Sequence, residues 1–419
     1  MIDLREMKDS GIEWIGEIPK HWSLTKIGML YTLRNTKVSD KEYQPLSVTK
    51  MGVLPQLETV AKTNAHDDRK LVKKGDFAIN SRSDRRGSCG ISSFDGSVSL
   101  INTVLTPRER MHPGYYNWLF HTIQFADEFY RNGHGIVDDL WTTNWQDMKK
   151  IVLPIPMHDE QQVVSEYLDQ KCSEIDAVSE DIQKQITVLE DYKKSLVYKV
   201  VSNGVSIASM SKDKDEIWGN IPTGWRLVDI KYLFEIVKRI AGKEGFDVLA
   251  VTQKGLKVKN ISSNEGQLAD NYSGYQFVYP TDYVMNHMDL LTGWVDCSTI
   301  FGVTSPDYRV FRLRDKINNN LTYFKYVMQC CYMNRIFYSL GQGVSNLGRW
   351  RLQTSSFNNF KVPVPTKAEQ DEIANYLDEK TAGIDSLISD KKKQLEILAE
   401  YKKSLIYEFV TGKKEVPES

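Results

Sequence analysis

The feature that most constrains the fold of this chain is an internal duplication. The segment LEDYKKSLVYKVVSNG begins at Leu189, and the closely similar segment LAEYKKSLIYEFVTGK begins at Leu398, 209 positions later. This offset is half of the 419-residue length, so the whole chain is expected to consist of two equivalent halves. Two or more domains are also expected from the length alone, because single hydrophobic cores rarely extend beyond about 250–300 residues.

Further matches indicate how the two halves are organised. EWIGEIPKHW from Glu13 returns as EIWGNIPTGW from Glu216, and LPIPMHDEQ from Leu153 returns as VPVPTKAEQ from Val362. The first part of each half otherwise shows little identity with its counterpart, whereas the last part is nearly copied. The sequence therefore predicts variable domains over residues 1–157 and 205–366, conserved helical segments over 158–204 and 367–412, and a short tail over 413–419.

The conserved segments are predicted to form two long helices. Apolar residues recur every three or four positions, each segment follows a Pro-x-Pro motif, and each ends near Gly204 or Gly412. We expect the helices to cover each other's apolar stripe in an antiparallel coiled coil, with the variable domains at opposite ends and related by a pseudo-twofold axis. The alternative is that each helix packs only on its own variable domain. The predicted stripes consist of Ile175, Val178, Ile182, Ile186, Leu189, Tyr192 and Leu196, and of Ile384, Leu387, Leu395, Leu398, Tyr401 and Leu405.

The variable domains are predicted to mix helices and strands, which gives the chain an α+β fold. The segments KLVKKGDFAINSRS and GYQFVYPTDYVMNHM predict strand, turn and strand, with the turns at Gly75-Asp76 and Thr281-Asp282. Two aromatic segments, YYNWLFHTIQFADEFYRNG and LTYFKYVMQCCYMNRIFYSLG, have helical spacing and end in glycine. Their aromatic side chains are expected to lie in the core rather than on a base-stacking surface.

Several classes of function are disfavoured by missing motifs. The sequence contains no GxxxxGK[ST], GxGxxG, HExxH or GxSxG motif and no [DN]PP[YF] tetrapeptide of an amino-methyltransferase. Its five cysteines lack the paired spacing of a zinc site or a disulfide framework. The N-terminus is polar and no run of eighteen apolar residues occurs, so neither a signal peptide nor a membrane span is expected. We therefore expect a chain without a catalytic or metal site.

The duplicated motifs together resemble those of a known family. Pro-x-Pro-x-x-x-Glu-Gln, Tyr-Leu-Asp and Tyr-Lys-Lys-Ser-Leu each occur in both halves, and this combination is similar to the specificity (S) subunits of type I restriction–modification systems. The resemblance covers essentially the whole chain. It implies that the variable domains are target recognition domains, each reading one half of a split sequence in double-stranded DNA. It further implies that the helices separate the half-sites and dock two modification (M) subunits.

The same resemblance assigns the chemistry to other chains. The M subunits are expected to use S-adenosylmethionine to methylate adenine, and the restriction (R) subunits to use ATP and Mg²⁺ for translocation and cleavage. This chain is then a noncatalytic subunit of the prokaryotic cytoplasm that binds no cofactor itself. One departure from some relatives is the short tail after Gly412, and residues Met1 to Glu17 are expected to complete the circular arrangement instead.

The net charge of −1 requires any DNA-binding surface to be local. Arginine suits guanine and asparagine or glutamine suits adenine in the major groove. In the first variable domain the densest basic loop lies within NSRSDRRGS; the alternative is a solvated loop in which Asp84 pairs with one arginine. The matching segment of the second domain is NHMDLLTGW. The DNA-binding residues predicted in these two segments are Asn80, Arg82, Ser83, Arg85, Arg86, Asn286 and His287.

Two further pairs of segments are candidates for DNA contact. One is the glycine-rich segment before each Pro-x-Pro motif, where the alternative is that Trp141 and Trp350 are core anchors and the glycines only form the turn. The other follows a shared Val-Thr pair, where the alternative is an exposed strand end. The residues predicted here are Gln342, Asn346, Arg349 and Arg351 for the first pair, and Lys50 and Gln253 for the second.

The conserved helices carry the candidates for partner binding. The residues Tyr192, Lys193, Lys194, Tyr401, Lys402 and Lys403 are shared by both copies, and they predict docking of the M subunits. The alternative is a solvated helix face. Two other functions compete with the whole interpretation: a self-contained nuclease or methyltransferase, which the missing motifs disfavour, and a coiled-coil scaffold without DNA binding, which the divergent variable domains disfavour.

Overall fold

The computed structural model of the protein describes residues 6–56, 67–82, 85–108, 111–135, 141–206, 209–260, 269, 271–343 and 350–417. The chain divides into two compact units. The first unit combines Met1–Ile182 with Lys392–Ser419, and the second unit is Gln183–Lys391. These units divide each long helix, whereas the predicted domains keep each helix whole, so the predicted domain boundaries stay predictions.

Short strands account for most of the regular structure outside the two long helices. The strands are β1 Met7–Asp9, β2 Glu17–Pro19, β3 Ser23–Lys26, β4 Tyr31–Arg34, β5 Lys37–Val38, β6 Leu46–Thr49, β7 Gly52–Pro55, β8 Arg69–Val72, β9 Phe77–Asn80, β10 Cys89–Ile91, β11 Gly96–Ser99, β12 Asn102–Pro107, β13 Val152–Ile155, β14 Met210–Asp215, β15 Gly219–Pro222, β16 Arg226–Asp229, β17 Phe234–Val237, β18 Leu249–Thr252, β19 Gly255–Val258, β20 Gln276–Val278, β21 Tyr283–Met285, β22 Val295–Cys297, β23 Gly302–Thr304, β24 Arg309–Leu313 and β25 Lys361–Val364.

Within the described ranges, eight short helices accompany the two long ones. The helices are α1 Ile27–Leu30, α2 Pro113–Phe120, α3 Ile123–Arg131, α4 Trp145–Met148, α5 His158–Asn203, α6 Ile230–Leu233, α7 Leu321–Met333, α8 Ile336–Ser339, α9 Thr354–Asn358 and α10 Lys367–Val410. Both long helices follow a Pro-x-Pro strand, as predicted. Both also end just before a glycine with a left-handed backbone, since φ is +82° at Gly204 and +70° at Gly412.

Each unit is built around an antiparallel four-stranded sheet with the same strand order. The order is β10-β9-β12-β4 in the first unit and β22-β21-β24-β17 in the second. The register is repeated as well, because Phe77 lies opposite Leu105 in the first sheet and Tyr283 lies opposite Phe311 in the second. The chain is therefore duplicated in structure as well as in sequence, and it has the predicted α+β fold.

Aromatic side chains from the helices fill the space against each sheet. In the first unit the ring of Phe120 on α2 lies 4.2 Å from that of Phe77, and Phe125 on α3 lies 4.8 Å from Phe120. In the second unit Phe324 on α7 lies 5.5 Å from Phe234. These side chains are buried, so the prediction that the aromatic segments belong to the core is confirmed.

The two predicted strand–turn–strand segments are present, but their strands belong to different sheets. Strand β8 pairs with β11 and β5, whereas β9 pairs with β10 and β12. The turn between them is held by the buried Asp76, which accepts bonds from Arg34 Nε at 2.6 Å and from the backbone N–H of Lys73 at 2.8 Å. Asp282 accepts the corresponding bonds from Arg239 and from Tyr279 in the second unit.

The long helices run antiparallel against each other within each unit. In the first unit Lys402 Nζ lies 2.6 Å from Asp176 Oδ1, and the ring of Phe409 lies 4.6 Å from that of Tyr167. In the second unit Lys193 Nζ lies 2.6 Å from Asp385 Oδ2. The same helices also enter the unit cores, through side chains such as Leu168 and Val201. The helices thus contact each other and also the unit cores, so the alternative that each helix packs only on its own variable domain is wrong, and a continuous coiled coil stays a prediction.

Part of the predicted apolar stripe is wrong. Val178 and Leu387 are 49% and 53% exposed, and Tyr192 and Tyr401 are 56% and 52% exposed, although the stripe placed all four against the partner helix. An α-helix turns by about 100° per residue, so a residue ten positions beyond the buried Ile182 lies about 80° away from it. Repeated steps of three and four residues therefore drift around the helix, away from the face that contacts the other helix. The exposed residues lie at the side of that face.

The N-terminal segment closes the first unit against the end of α10. Tyr407 Oη donates to the carbonyl oxygens of Trp14 and Ile15 at 3.0 and 3.2 Å. The second unit has the same bond at the end of α5, where Tyr198 Oη donates to the carbonyl oxygen of Ile217. Residues from Trp14 onward therefore contact the end of α10 as predicted, whereas the first five residues lie outside the described part of the chain.

The Gln of each duplicated Glu-Gln pair joins a long helix to the strand before it. Gln161 Nε2 donates to the carbonyl oxygen of Pro156 at 3.0 Å, and its Oε1 accepts from the backbone N–H of His112 at 3.0 Å. Gln370 makes the corresponding bonds to Pro365 and Asn320.

Among the described residues, no helix has the length and apolar character needed to cross a membrane.

Candidate nucleic-acid interface

In the first unit two of the predicted DNA-binding segments meet at one end of the central sheet. The loop that follows β9 pairs with the segment that precedes α4. The backbone N–H of Thr143 donates to the carbonyl oxygen of Ser81 at 3.0 Å, and Arg82 and Thr142 form an isolated antiparallel β-bridge. Segments about sixty residues apart in the sequence thus form one surface. Beside it lies an open groove of about 410 Å³, lined by residues that include Lys70, Ile101 and Asn144.

The predicted residues of this loop differ in exposure. Arg82, Arg85 and Arg86 are exposed. Asn80 is buried, and its Oδ1 accepts from the backbone N–H of Arg82 at 3.0 Å, so it shapes the loop from below. Ser83 lies outside the described residues, as does Asp84, the alternative ion-pair partner.

Arg86 has a partner that the sequence did not indicate. Its guanidinium pairs with Asp127 on α3, and its Cζ lies 4.8 Å from the centroid of the Tyr130 ring. Asp127 is too distant in the sequence to be recognised as a partner without knowing the fold. The pairing aligns one arginine of the cluster along the surface.

The second unit forms its surface in the same way. The backbone N–H of Leu352 donates to the carbonyl oxygen of His287 at 3.0 Å, and that of Leu290 donates to the carbonyl oxygen of Trp350 at 3.1 Å. Gln342 and Arg351 exchange two backbone bonds of 3.0 Å. The predicted residues Asn286, His287, Gln342 and Arg351 are therefore brought together, whereas Asn346 and Arg349 lie outside the described residues.

The conserved tryptophans are packing anchors for these segments. Trp141 Nε1 donates to the carbonyl oxygen of Tyr130 at 2.9 Å, and the ring of Trp350 lies 4.9 Å from that of Tyr338. A Cβ on Gly133 would lie 2.6 Å from Trp141 Nε1, so only glycine fits at this close approach. The core-anchor interpretation thus applies to the tryptophans, and the same anchors hold the neighbouring polar residues at the surface.

Lys50 and Gln253 occupy equivalent positions at the tips of two β-hairpins. The hairpin β6–β7 turns through Lys50 and Met51, and β18–β19 turns through Gln253 and Lys254. The threonine before each turn caps it, since Thr49 Oγ1 accepts from the N–H of Met51 at 3.1 Å. The exposed strand end considered for these residues is therefore a two-residue turn.

The predicted partner-binding residues on the helices fall into three kinds. Tyr192 and Tyr401 are exposed. Lys193 and Lys402 form the ion pairs that join α5 and α10 within the second and first unit. Lys194 and Lys403 pair along their own helix, with Asp191 at 3.0 Å and Glu400 at 2.6 Å.

His287 is the titratable group of this interface that its surroundings affect most. It is 7% exposed, and burial together with the positive charges of Arg309 and Arg351 lowers its pKa from 6.5 to about 3. Sequence reasoning missed Arg309 because it lies within a buried strand.

Among the described residues, no group of three or more His, Cys, Asp and Glu side chains is arranged to hold a metal ion.

The lowered pKa of His287 leads to a stability prediction. The unfolded chain binds a proton at this histidine near pH 6.5 and the folded chain does not, so the free energy of unfolding should fall as pH drops below about 6.5. The variant His287→Gln should lose up to about 2 kcal/mol of the decrease between pH 7 and pH 5, at about 1.4 kcal/mol per pH unit. Urea denaturation at both pH values measures this. The control His158→Gln changes an exposed histidine and should keep the wild-type pH dependence; equal pH dependence in all three proteins would contradict the prediction.

Comparison with known proteins places these features in a wider context. The family model of the type I restriction modification DNA specificity domain matches residues 225–397. The type I restriction enzyme MjaVIII specificity subunit of Methanocaldococcus jannaschii is 26% identical over an alignment of 352 residues that covers 78% of this chain and 77% of that protein. The putative type I restriction enzyme MjaX specificity subunit of the same organism is 22% identical over 95% of both chains.

Two solved structures share the fold. A chain from a structure that describes complex assembly and conformational transition of the type I R-M system aligns with a TM-score of 0.69 and 12% identity, over 95% of this chain and 99% of that chain. The HsdS subunit from Thermoanaerobacter tengcongensis aligns with a TM-score of 0.52 and 13% identity, over 95% and 98% of the two chains.

Proposed function

The chain belongs to the specificity subunits of type I restriction–modification systems, and we propose that it recognises a split DNA sequence, with each unit reading one half. The observation that carries the proposal is the repeated backbone pairing at the end of equivalent strands, Thr143 with Ser81 in the first unit and Leu352 with His287 in the second. The backbone pairing is the same in both units, whereas the side chains on the paired segments differ. This combination supports two half-sites of different sequence.

The side chains at the two surfaces favour different bases. Arg82 and Arg85 are exposed in the first unit, and the arginine fork fits O6 and N7 of guanine. The second unit exposes Gln342, whose amide suits adenine, and beside it holds the half-buried Asn286, whose Oδ1 accepts from the backbone N–H of Met288 at 3.3 Å. We therefore propose that the first unit reads a half-site containing guanine and that the second reads one containing adenine. Lys50 and Gln253 at the hairpin tips add one contact to each.

The long helices carry the surface that we assign to the methyltransferase subunits. Each unit exposes an equivalent apolar set on its helix pair: Val178, Ile397 and Tyr401 in the first, and Leu387, Val188 and Tyr192 in the second. Exposed apolar side chains at matching positions of both copies support docking of two identical partners. Lys194 and Lys403 lie about 160° around their helices from Tyr192 and Tyr401, at about 100° per residue, so they stand outside these sets.

The chemistry of the complex belongs to the partners in this proposal. Two modification subunits use S-adenosylmethionine to methylate adenine in the target. Restriction subunits use ATP and Mg²⁺ to move and cleave DNA that lacks the methyl groups. This chain contributes recognition and assembly.

The helices are also proposed to set the distance between the half-sites, and this leads to a test of the proposal. Insertion of one heptad after Ile182 and another after Lys391 lengthens both helices by about 10 Å, which equals about three base pairs at about 3.4 Å each. The purified complex with its methyltransferase partner should select, from a pool of randomised duplexes, a split sequence whose halves are unchanged and whose gap is longer by that amount. Selection of one uninterrupted sequence by the wild-type complex would overturn the split-site proposal, and an unchanged gap would overturn the spacer role.

A further inference from the structure

Arg309 is a buried cation beneath the candidate interface of the second unit. Its side chain is 5% exposed. Nη2 donates to the carbonyl oxygen of Leu352 at 3.1 Å and to Thr354 Oγ1 at 3.2 Å, and Cζ lies 4.5 Å from the centroid of the Phe357 ring. Within the described part of the chain, it forms no ion pair with a carboxylate. Burial of a charge without a counter-ion costs free energy, and a bound anion would offset that cost.

Two other residues of the same surface, His287 and Arg351, lie near this charge. The backbone of Leu352 connects them, because its carbonyl oxygen accepts from Arg309 while its N–H donates to the carbonyl oxygen of His287. The imidazole of His287 is buried, and its Nδ1 has no hydrogen-bond partner among the described residues. Arg351 precedes Leu352, is exposed, and forms no ion pair within the described ranges. Burial lowers the pKa of Arg309 to about 10 and that of His287 to about 3; the positive charge of Arg351 adds to both shifts, and that of Arg309 adds to the shift of His287.

The equivalent place in the first unit is neutral. Arg309 lies opposite Met285 in its sheet and Thr103 lies opposite Ile79, so Thr103 takes the place of the arginine. The Oγ1 of Thr103 is only 2.9 Å from Ser81 Oγ, which completes a neutral pair. The duplication shows that this position can be filled without a charge, so folding alone does not require an arginine there.

We propose that His287, Arg309 and Arg351 form a phosphate site in the second unit, which a backbone phosphate of the DNA half-site occupies. The inference rests on the proposed function and deepens it, since it separates backbone anchoring from base reading. Arg351 contacts the phosphate, and His287 lies next to it, since its carbonyl oxygen accepts from the backbone N–H of Leu352 at 3.0 Å. Arg309 is a positioning residue that holds Leu352 and supplies charge from below. The segment of the second unit that matches the arginine loop, NHMDLLTGW, contains no arginine, and the phosphate site supplies positive charge next to it.

The test compares the salt dependence of DNA binding among charge variants of the complex with the methyltransferase partner. Arg351→Gln and Arg309→Gln each remove one charge from the site. Arg312→Gln is the matched control, because Arg312 lies on the same strand, is exposed and pairs with Glu235 at 3.1 Å. The slope of log K against log salt should decrease in magnitude by about 0.9 for a lost phosphate contact. We expect that decrease for Arg351→Gln, a decrease of similar size for Arg309→Gln, no change for Arg312→Gln, and an unchanged base preference in all three.

A second readout separates this inference from the proposed function. Inorganic phosphate should shift the NMR signals of the His287 ring in the wild-type chain and in Arg312→Gln, and not in Arg309→Gln or Arg351→Gln. Sequence-selective binding together with wild-type salt slopes in both site variants would overturn the phosphate site and leave the proposed function intact. Absence of sequence selection with phosphate-dependent shifts would overturn the proposed function and keep the site for free phosphate. Absence of both would overturn both.

Discussion

Replacement of Arg82, Arg85 and Arg86 by alanine is expected to abolish recognition of one half-site and to leave the other intact. The three side chains are exposed on the surface that the loop after β9 and the segment before α4 form together. A bidentate arginine–guanine contact discriminates by about 1–3 kcal/mol, so loss of even one should reduce the preference for the first half-site about tenfold or more. The measurement is competition binding of the complex to duplexes that are altered in one half-site at a time.

The matched control replaces the same three arginines by lysine. Lysine keeps the charge and loses the planar fork, so this variant should keep its overall affinity and salt dependence while losing preference at the first half-site. The second half-site is an internal control in every experiment. Equal loss of preference at both half-sites would contradict the assignment of one half-site to each unit.

Substitution of the exposed apolar residues of the helices is expected to remove the methyltransferase subunits one at a time. Val188 and Ile397 are 66% and 68% exposed and occupy equivalent positions in the second and first unit. Val188→Glu or Ile397→Glu should each leave one partner per chain, and the double variant should leave none, because a charge in the centre of an apolar contact is not compensated. Native mass spectrometry of the co-expressed proteins counts the partners.

The control for this experiment is Gln183→Glu on the same helix. Gln183 is exposed and lies about 140° around the helix from Val188, at about 100° per residue. The substitution Gln183→Glu therefore introduces the same charge on another side of the helix and should leave both partners bound. All these positions are exposed, so thermal unfolding of the variants should match the wild-type chain. Two partners on the double variant would show that docking uses another surface.

Much of the architecture follows from the sequence because of the duplication. Matching segments predicted the repeated units, and helical spacing predicted α5 and α10 with their terminal glycines. The apolar stripe was less reliable, since Val178 and Tyr192 fit its spacing and yet lie outside the seam. Spacing reports the helical period, whereas burial depends on where the neighbouring helix lies.

The candidate interface could be predicted only in part. Local composition indicated the arginine loop and the glycine-rich segments, but it gave no sign that Thr142 and Arg82 are bridged. Arg309 was missed because it lies within a buried, apolar strand, and only the folded structure brings it close enough for the charge of Arg351 to act on it. Pairing between distant segments is a property of the tertiary fold, and local sequence patterns do not contain it.

We propose above that the two units read two different halves of one DNA sequence. Sequencing of methylated adenines in a host that expresses this chain with its methyltransferase partner tests it most directly. We expect a split motif with a constant gap, N6-methyladenine in both halves, and no such methylation when this chain is omitted. An uninterrupted motif, or the same methylation without this chain, would contradict it.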